Sequence, residues 1–262
     1  SRRMRVSQGR VLVTGASRGI GRAVVACLVK CGARVAAVGR DEEALMQVAR
    51  ISSKQVTAVV GDLARESERE LLVGHAAEAL GGLDGLVHCA GIVKYEPVGT
   101  LTPQALEAMW RVNQLAPTLL SQEAARVMVQ QGHGGSIVTV SSTLSGRPAP
   151  STLGYAGTKA ALEATTRGLA KELAARHIRV NAVAPGVVDT DMVRQPRVAP
   201  GTRVPEGAER DRLVAEQLEA LAYLHPLGRL GTAAEVAELI VQVLDAEWMT
   251  GSVVTLDGGL SL

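Results

Sequence analysis

The sequence predicts a single α/β domain, doubly wound, with helices on both faces of a mostly parallel sheet. Short aliphatic and β-branched runs alternate with stretches of helical periodicity along the chain. No repeat or low-complexity linker interrupts this alternation, so the 262 residues are assigned to one domain, 1–262. The seven predicted strands are Arg10–Thr14, Arg34–Val38, Val56–Val60, Gly85–His88, Ile137–Val140, Ile178–Ala184 and Ser252–Leu256.

Composition narrows the class of protein. The chain is 47% hydrophobic and lacks Phe, so its core must be packed with Ala, Val, Leu and Ile. The net charge of +2, with no basic stripe bearing aromatics, argues against nucleic-acid binding. No apolar run approaches the roughly 18 residues of a membrane span, and the basic residues 1–5 are not followed by the apolar stretch of a signal peptide. Three cysteines without zinc spacing and scattered histidines predict no metal site and a reducing, cytoplasmic setting.

The first strand ends in a glycine-rich turn that opens a helix. Its glycines are Gly15, Gly19 and Gly21, with Ser17, Arg18 and Ile20 between them. Such a turn lets backbone N–H groups approach a pyrophosphate at the positive end of a helix. Three glycines alone are a weak signal; their place between a strand and a helix makes this one more specific.

The second strand ends in Gly39 and Arg40, where a dinucleotide fold places the group that contacts the adenosine ribose. An acid there would bind the ribose hydroxyls, whereas an arginine suits a 2′-phosphate. Arg18 adds a second cation, so the pattern predicts NADP(H) over NAD(H). The alternative is that both arginines are merely solvated.

Later strands also end in candidate ligand-binding residues. Asp62, followed by Leu63, could bond an adenine amino group, and the small residues Ala90 and Gly91 would let a nucleotide pass close. Within the long helix predicted from Pro103 to about Gln131, Asn113 is either a satisfied core amide or a functional group.

Tyr155 and Lys159 lie four residues apart on a helix predicted to open near Leu153, so their side chains share one face. An ammonium beside a phenol lowers the phenol's pKa and makes it a better proton donor. Ser142, at the end of the fifth strand, could hold a substrate oxygen. The alternative is a chance pair on a solvated helix and an ordinary loop serine.

Ligands of open α/β sheets bind outside the carboxyl ends of the strands. The predicted site residues follow different strands, so we expect them to converge at one edge of the sheet. The irregular segment of about 192–225 is a candidate substrate lid. Its five arginines could receive an acidic substrate or carrier, or form a solvated loop.

The ordered set of motifs resembles the short-chain dehydrogenase/reductase family over nearly the whole chain. The matching pieces are Thr14–Gly21, Asp62–Leu63, Cys89–Gly91, Asn113, Ser142, Tyr155 with Lys159, Pro185–Gly186 with Thr190, and Leu256–Gly259. The resemblance implies a Rossmann-type domain with a seven-stranded sheet. It also implies a tetrad of Asn113, Ser142, Tyr155 and Lys159, with Tyr155 giving a proton to a carbonyl that receives a hydride.

By the same resemblance, Lys159 binds the nicotinamide ribose and Asn113 positions a water. Pro185, Gly186, Val188 and Thr190 hold the carboxamide end of the cofactor. One departure is His88-Cys89 where the family often has two asparagines; we expect Cys89 to be accommodated by packing.

Several features look like the 3-oxoacyl-(acyl-carrier-protein) reductases of the family, among them the Asp189–Met192 and Pro226–Arg229 stretches. The expected substrate is therefore a small carbonyl compound or an acyl-carrier thioester. The alternative function is a non-catalytic NADP(H)-binding sensor or scaffold. The family resemblance also implies a homotetramer that pairs through the helices around Ala105–Gln131 and Leu153–Arg176 and the C-terminal strand.

Overall fold

The computed structural model describes residues 5–199 and 201–262. Residues 1–4 of the basic N-terminal stretch and Pro200 of the predicted lid lie outside the described residues. The described chain forms a seven-stranded sheet whose six neighbouring pairs are all parallel, so the predicted doubly wound α/β fold is confirmed. The strands are β1 Arg10–Thr14, β2 Arg34–Gly39, β3 Val56–Val60, β4 Gly85–His88, β5 Gly135–Val140, β6 Ile178–Pro185 and β7 Val253–Leu256.

Helices connect the strands and cover both faces of the sheet. They are α1 Gly19–Lys30, α2 Glu42–Ala49, α3 Glu66–Leu80, α4 Pro103–Trp110, α5 Ala116–Gln131, α6 Leu153–Leu173, α7 Gly207–Tyr223 and α8 Ala233–Asp245. Along the described parts of the chain, none of these helices combines the length and the apolar content that crossing a bilayer requires.

Alternate residues of β1 serve two cores. Val11 and Val13 point to one face, where they pack in a cluster with α1 and α8, while Leu12 joins α3 and α5 on the other face. This follows from the two-residue period of a strand buried on both sides. The bulkiest fully buried side chains are Leu, Ile and Met, as the absence of Phe requires.

The strand order is β3-β2-β1-β4-β5-β6-β7, so the direction of winding reverses between β1 and β4. In register, Thr14 lies opposite His88, and the loops that follow these residues leave the sheet side by side. This reversal is the place where α/β sheets of this kind bind their ligands.

The structure corrects the sequence predictions in two connections. The helix predicted from Pro103 to Gln131 is broken by a π-helical turn, Arg111–Leu115. Pro117 has no N–H and therefore cannot donate the α-helical bond to the carbonyl of Asn113, which favours the wider turn there.

The second correction lies in the segment 192–225, which the sequence analysis treats as irregular. Residues Gly207–Tyr223 form α7, a helix of 17 residues. Its helical periodicity is weak because Val214 is its buried residue and most of its other positions are polar or exposed.

Candidate active site

The glycine turn after β1 is shaped by contacts that only glycine permits. Gly15 has a φ of +61°, and a Cβ on it would lie 2.6 Å from the backbone nitrogen of Ala90. A Cβ on Gly21 would lie 2.0 Å from the carbonyl oxygen of Gly15. The turn therefore packs closely against the start of α1 and against the loop after β4. Such a compact turn without side chains lets the phosphates of a nucleotide come close to its backbone.

Two further parts of the predicted cofactor site adjoin this turn. A Cβ on Gly19 would lie 3.6 Å from the Thr190 methyl group, so the loop after β6 reaches the start of α1. A Cβ on Gly39 would lie 3.5 Å from the Ser17 hydroxyl, so the end of β2 adjoins the turn as well. The side chains of Arg18 and Arg40 are exposed, and Arg18 lies 3.9 Å from Asp41.

Asp62 and Leu63 are engaged within the protein. The Asp62 carboxylate accepts a hydrogen bond of 2.9 Å from the backbone N–H of Ala64, and the Leu63 side chain is buried in the core. Leu63 can therefore reach a nucleotide only through its backbone.

The tetrad residues gather around Gly91. A Cβ on Gly91 would lie 3.5 Å from both Asn113 Oδ1 and Lys159 Nζ. Fully buried Asn113 accepts from the backbone N–H of Ile92 and donates to its carbonyl, each at 2.8 Å. The amide thus holds the loop that follows Gly91.

Lys159 is buried, and its Nζ donates to the carbonyl oxygen of Val140 at 2.8 Å. This bond ties α6 to the end of β5, next to Ser142. Burial lowers the pKa of Lys159 to about 8, because the ammonium is desolvated. The same nitrogen lies 5.5 Å from the centre of the Tyr155 ring.

The phenol of Tyr155 does not have the lowered pKa that its lysine neighbour predicts. Burial raises the pKa of Tyr155, the nearby Tyr95 raises it further, and a hydrogen bond with Ser142 lowers it. The prediction of a lowered pKa was wrong because desolvation of the phenolate is the largest influence on this group. The Ser142 interaction brings its hydroxyl close to the phenol.

Ser142, rather than Ser141, faces Tyr155. The Ser141 hydroxyl donates to Glu163 at 2.6 Å, whereas Ser142 Oγ accepts the backbone N–H of Leu144 at 3.1 Å. The sequence analysis did not identify Glu163 or Tyr95. Glu163 could have been found from its place four residues after Lys159 on the same helix; nothing in the sequence singles out Tyr95.

The departures from the family motif are accommodated in the core. His88 Nε2 lies 3.1 Å from the Ser121 hydroxyl, and burial lowers the pKa of His88 to about 3, so its ring is neutral. Cys89 packs against the core, and burial raises the pKa of its thiol to about 12. The expectation that Cys89 serves as packing agrees with this environment.

A parallel sheet, a glycine turn at its switch point and a buried lysine with a half-buried tyrosine on the same helix are features of a nucleotide-binding oxidoreductase. The family model described as short chain dehydrogenase matches residues 9–199, and the chain belongs to this family. The family uses NAD(P)(H). The tight glycine turn, the close approach of Gly91 to Lys159 and the exposed arginines fit such a cofactor.

Several oxidoreductases are similar to this chain over nearly their whole length. L-xylulose reductase of Caenorhabditis elegans is 34% identical over 259 residues, covering 96% of this chain and 95% of the relative. Glucose 1-dehydrogenase of Gluconobacter oxydans is 34% identical over 259 residues, covering 97% and 92%. The 3-oxoacyl-[acyl-carrier-protein] reductase of Homo sapiens is 34% identical over 250 residues, covering 95% and 97%.

The lowered pKa of Lys159 makes stability depend on pH. Between its folded pKa of about 8 and its ordinary value of 10.5, the unfolded chain keeps a proton that the folded chain releases. The free energy of unfolding should therefore rise with pH over this window, by up to about 3 kcal/mol relative to a Lys159→Met variant. Urea unfolding of both proteins from pH 7.5 to 10.5 measures this rise.

Lys171, an exposed lysine on α6, provides the control. The difference in the free energy of unfolding between wild type and Lys171→Met should not change with pH. A wild-type advantage that stays constant or shrinks as the pH rises would contradict the desolvated ammonium.

Proposed function

We propose that this protein catalyses the NADPH-dependent reduction of a ketone to a secondary alcohol. The observation that carries the proposal is the meeting of Asn113 Oδ1 and Lys159 Nζ at Gly91, with Tyr155 one turn away on the lysine helix. Ser142 is near enough to Tyr155 to lower the pKa of its phenol. The similarity to reductases of sugars and of 3-oxoacyl groups supports a carbonyl substrate.

Tyr155 is the proposed proton donor. Its raised pKa keeps the phenol protonated at neutral pH, and the Ser142 hydroxyl holds the carbonyl oxygen against it. When bound, NADPH supplies the hydride that the carbonyl carbon accepts. Lys159 holds the ribose hydroxyls. Because Pro117 has no N–H, the backbone carbonyl of Asn113 makes no α-helical hydrogen bond to it. This carbonyl is therefore placed to hold a water that returns protons to the site.

The proposed NADP(H) preference rests on charge. Arg40 follows β2 and Arg18 lies in the glycine turn, while the last residue of β2 is Gly39 rather than an acid. A guanidinium binds a 2′-phosphate through charge-assisted hydrogen bonds. The remaining proposed cofactor contacts are the glycine turn, Asp62, Ala90 and the loop from Pro185 to Thr190.

The proposed substrate lid brings one arginine to the site. Arg197 lies 4.2 Å from the centre of the Tyr95 ring and donates to its hydroxyl at 2.9 Å, and Tyr95 is close enough to raise the pKa of Tyr155. Arg194 and Arg203 instead pair with acids. Arg197 therefore favours a substrate with an acidic group, such as an acyl-carrier thioester.

We further propose that the protein is a homotetramer. A groove of about 840 Å³ between α4 and α6 contains exposed Trp110. Its lining includes Arg69 and Arg111 together with Glu66 and Glu107, a mixture that can complement itself in a twofold contact.

Replacing the proposed proton donor should separate turnover from binding. Tyr155→Phe should lower kcat about 10²- to 10⁴-fold and leave the NADPH dissociation constant unchanged. The assay follows NADPH oxidation across β-ketoacyl thioesters, diketones, quinones and cyclic ketones.

Tyr223→Phe is the matched control, since Tyr223 is exposed and should keep full activity. Turnover that survives in Tyr155→Phe would contradict the proposed role. NADPH binding by a wild-type protein that reduces none of these compounds would favour the sensor or scaffold function.

Reversing the charge after β2 should alter cofactor preference. Arg40→Asp should weaken NADPH binding about 10- to 100-fold, the worth of a charge-assisted phosphate contact, and change NADH binding less than about threefold. Fluorescence titration with each nucleotide measures both constants. The control is Arg50→Asp, a reversal of an exposed charge at the end of α2, which should leave both dissociation constants unchanged. If Arg40→Asp weakens the binding of NADPH and NADH equally, the NADP(H) assignment is overturned.

A charge in the groove should break the assembly. Trp110→Arg replaces an exposed apolar ring with a charge that would have to be desolvated in the contact, so the sedimentation coefficient should fall to that of a smaller species. Met46→Arg, an equally exposed site on α2, should leave the assembly intact. A wild-type monomer, or a Trp110→Arg protein of unchanged mass, would contradict pairing through this groove.

A further inference from the structure

A half-buried carboxylate joins the Ser142 loop to the helix of Tyr155 and Lys159. Glu163 Oε1 accepts hydrogen bonds from the hydroxyls of Ser141 at 2.6 Å and Ser145 at 2.5 Å. The Glu163 side chain is 13% exposed, and its other oxygen lies 3.8 Å from Arg167. Hydrogen bonds to an ionised acceptor are shorter and about twice as strong as neutral ones.

The two serines bracket the residue that faces Tyr155. Ser141 is the residue before Ser142, and Ser145 ends the 3₁₀ turn that follows it, Thr143–Ser145. Within this turn the Ser145 N–H donates to the Ser142 carbonyl at 3.0 Å. Ser142 itself keeps its hydroxyl for Leu144 and Tyr155. Glu163 therefore holds the chain before and after Ser142 without binding the Ser142 hydroxyl itself.

The position of Glu163 on α6 relates this loop to the catalytic pair. It lies one turn after Lys159 and two turns after Tyr155, so all three side chains project from one rigid helix near the end of β5. The distance between the Ser142 hydroxyl and the phenol is then set by a helix and by two short hydrogen bonds. A displacement of about 1 Å in such an arrangement can cost about 10²-fold in rate.

We propose that Glu163 is a positioning residue that holds Ser142 in line with Tyr155 through Ser141 and Ser145. The inference rests on the proposed function, because Ser142 acts on the carbonyl oxygen there. It assigns to Glu163 no contact with substrate or cofactor.

The test is a double-mutant cycle between Glu163 and Ser142. Glu163→Ala should lower kcat about 10- to 100-fold, with KM for the ketone changed less and the NADPH dissociation constant within about twofold of wild type. In a Ser142→Ala background the same change should cost less than about threefold, because the group it positions is gone. Full, additive losses in both backgrounds would overturn the inference.

Two further variants separate positioning from general packing. Glu163→Gln keeps one oxygen able to accept both hydroxyls and should recover most of the lost kcat. Glu172→Ala, an exposed glutamate on the same helix, should leave kcat unchanged. If Glu163→Ala does not fold, Ser145→Ala removes one of the two tethers and takes its place in the cycle.

A measurement independent of turnover tests the tether itself. Amide hydrogen exchange in the peptide covering residues 141–147 should become faster in Glu163→Ala or Ser145→Ala and stay unchanged in Glu172→Ala. If the wild type reduces no ketone, the proposed function fails, and the exchange rates still decide whether Glu163 holds this loop. Unchanged exchange in both variants would overturn the inference.

Discussion

The hydrogen bond from Lys159 Nζ to the Val140 carbonyl joins the two parts of the molecule on which the site depends. The carbonyl ends β5, and the lysine lies on α6 with Tyr155. A buried ammonium is costly, and its lowered pKa expresses that cost. The Val140 carbonyl offsets part of this cost and holds the charged donor next to Gly91, where the proposed nucleotide site lies.

The polar groups on either side of the buried lysine are hydrogen-bonded as well. Asn113 satisfies both backbone groups of Ile92, so the loop beside the lysine is held without secondary structure. On the other side, Glu163 binds two serines of the β5 loop. The hydroxyls that are proposed to be catalytic, those of Tyr155 and Ser142, thus lie between two fixed polar networks. Each network is attached to a helix whose opposite side is buried in the core. A site organised in this way depends little on its exposed loops for its geometry.

The sequence was sufficient for the sheet and the glycine turn because both follow from local patterns. β-Branched runs predict buried strands, and Gly15 and Gly21 stand where any side chain would collide with backbone. The π-turn at Asn113 was not predicted, since it arises from one missing N–H at Pro117 within an otherwise regular helical pattern. Helix α7 was missed because it buries few residues, so its sequence carries little periodicity.

The sequence predicted that Tyr155 and Lys159 lie on one helix, as the structure shows, but it did not predict their electrostatics. The motifs place Tyr155 and Lys159 on one face. The raised pKa of the phenol depends instead on burial and on the charge interaction with Tyr95, which spacing on a helix does not report. The spacing of Glu163 after Lys159 places it on the same helix, but its partners Ser141 and Ser145 come from another element and follow only from the structure.

The central claim is that the Tyr155–Lys159 face and the glycine turn bind the same nucleotide. A crystal structure of the protein with NADPH tests it most directly. The account predicts the pyrophosphate at the turn from Gly15 to Gly21, the ribose hydroxyls within hydrogen-bond reach of Lys159 Nζ, and the nicotinamide facing the Tyr155 hydroxyl. A nucleotide bound elsewhere, or a nicotinamide on the far side of the sheet from the phenol, would contradict the claim.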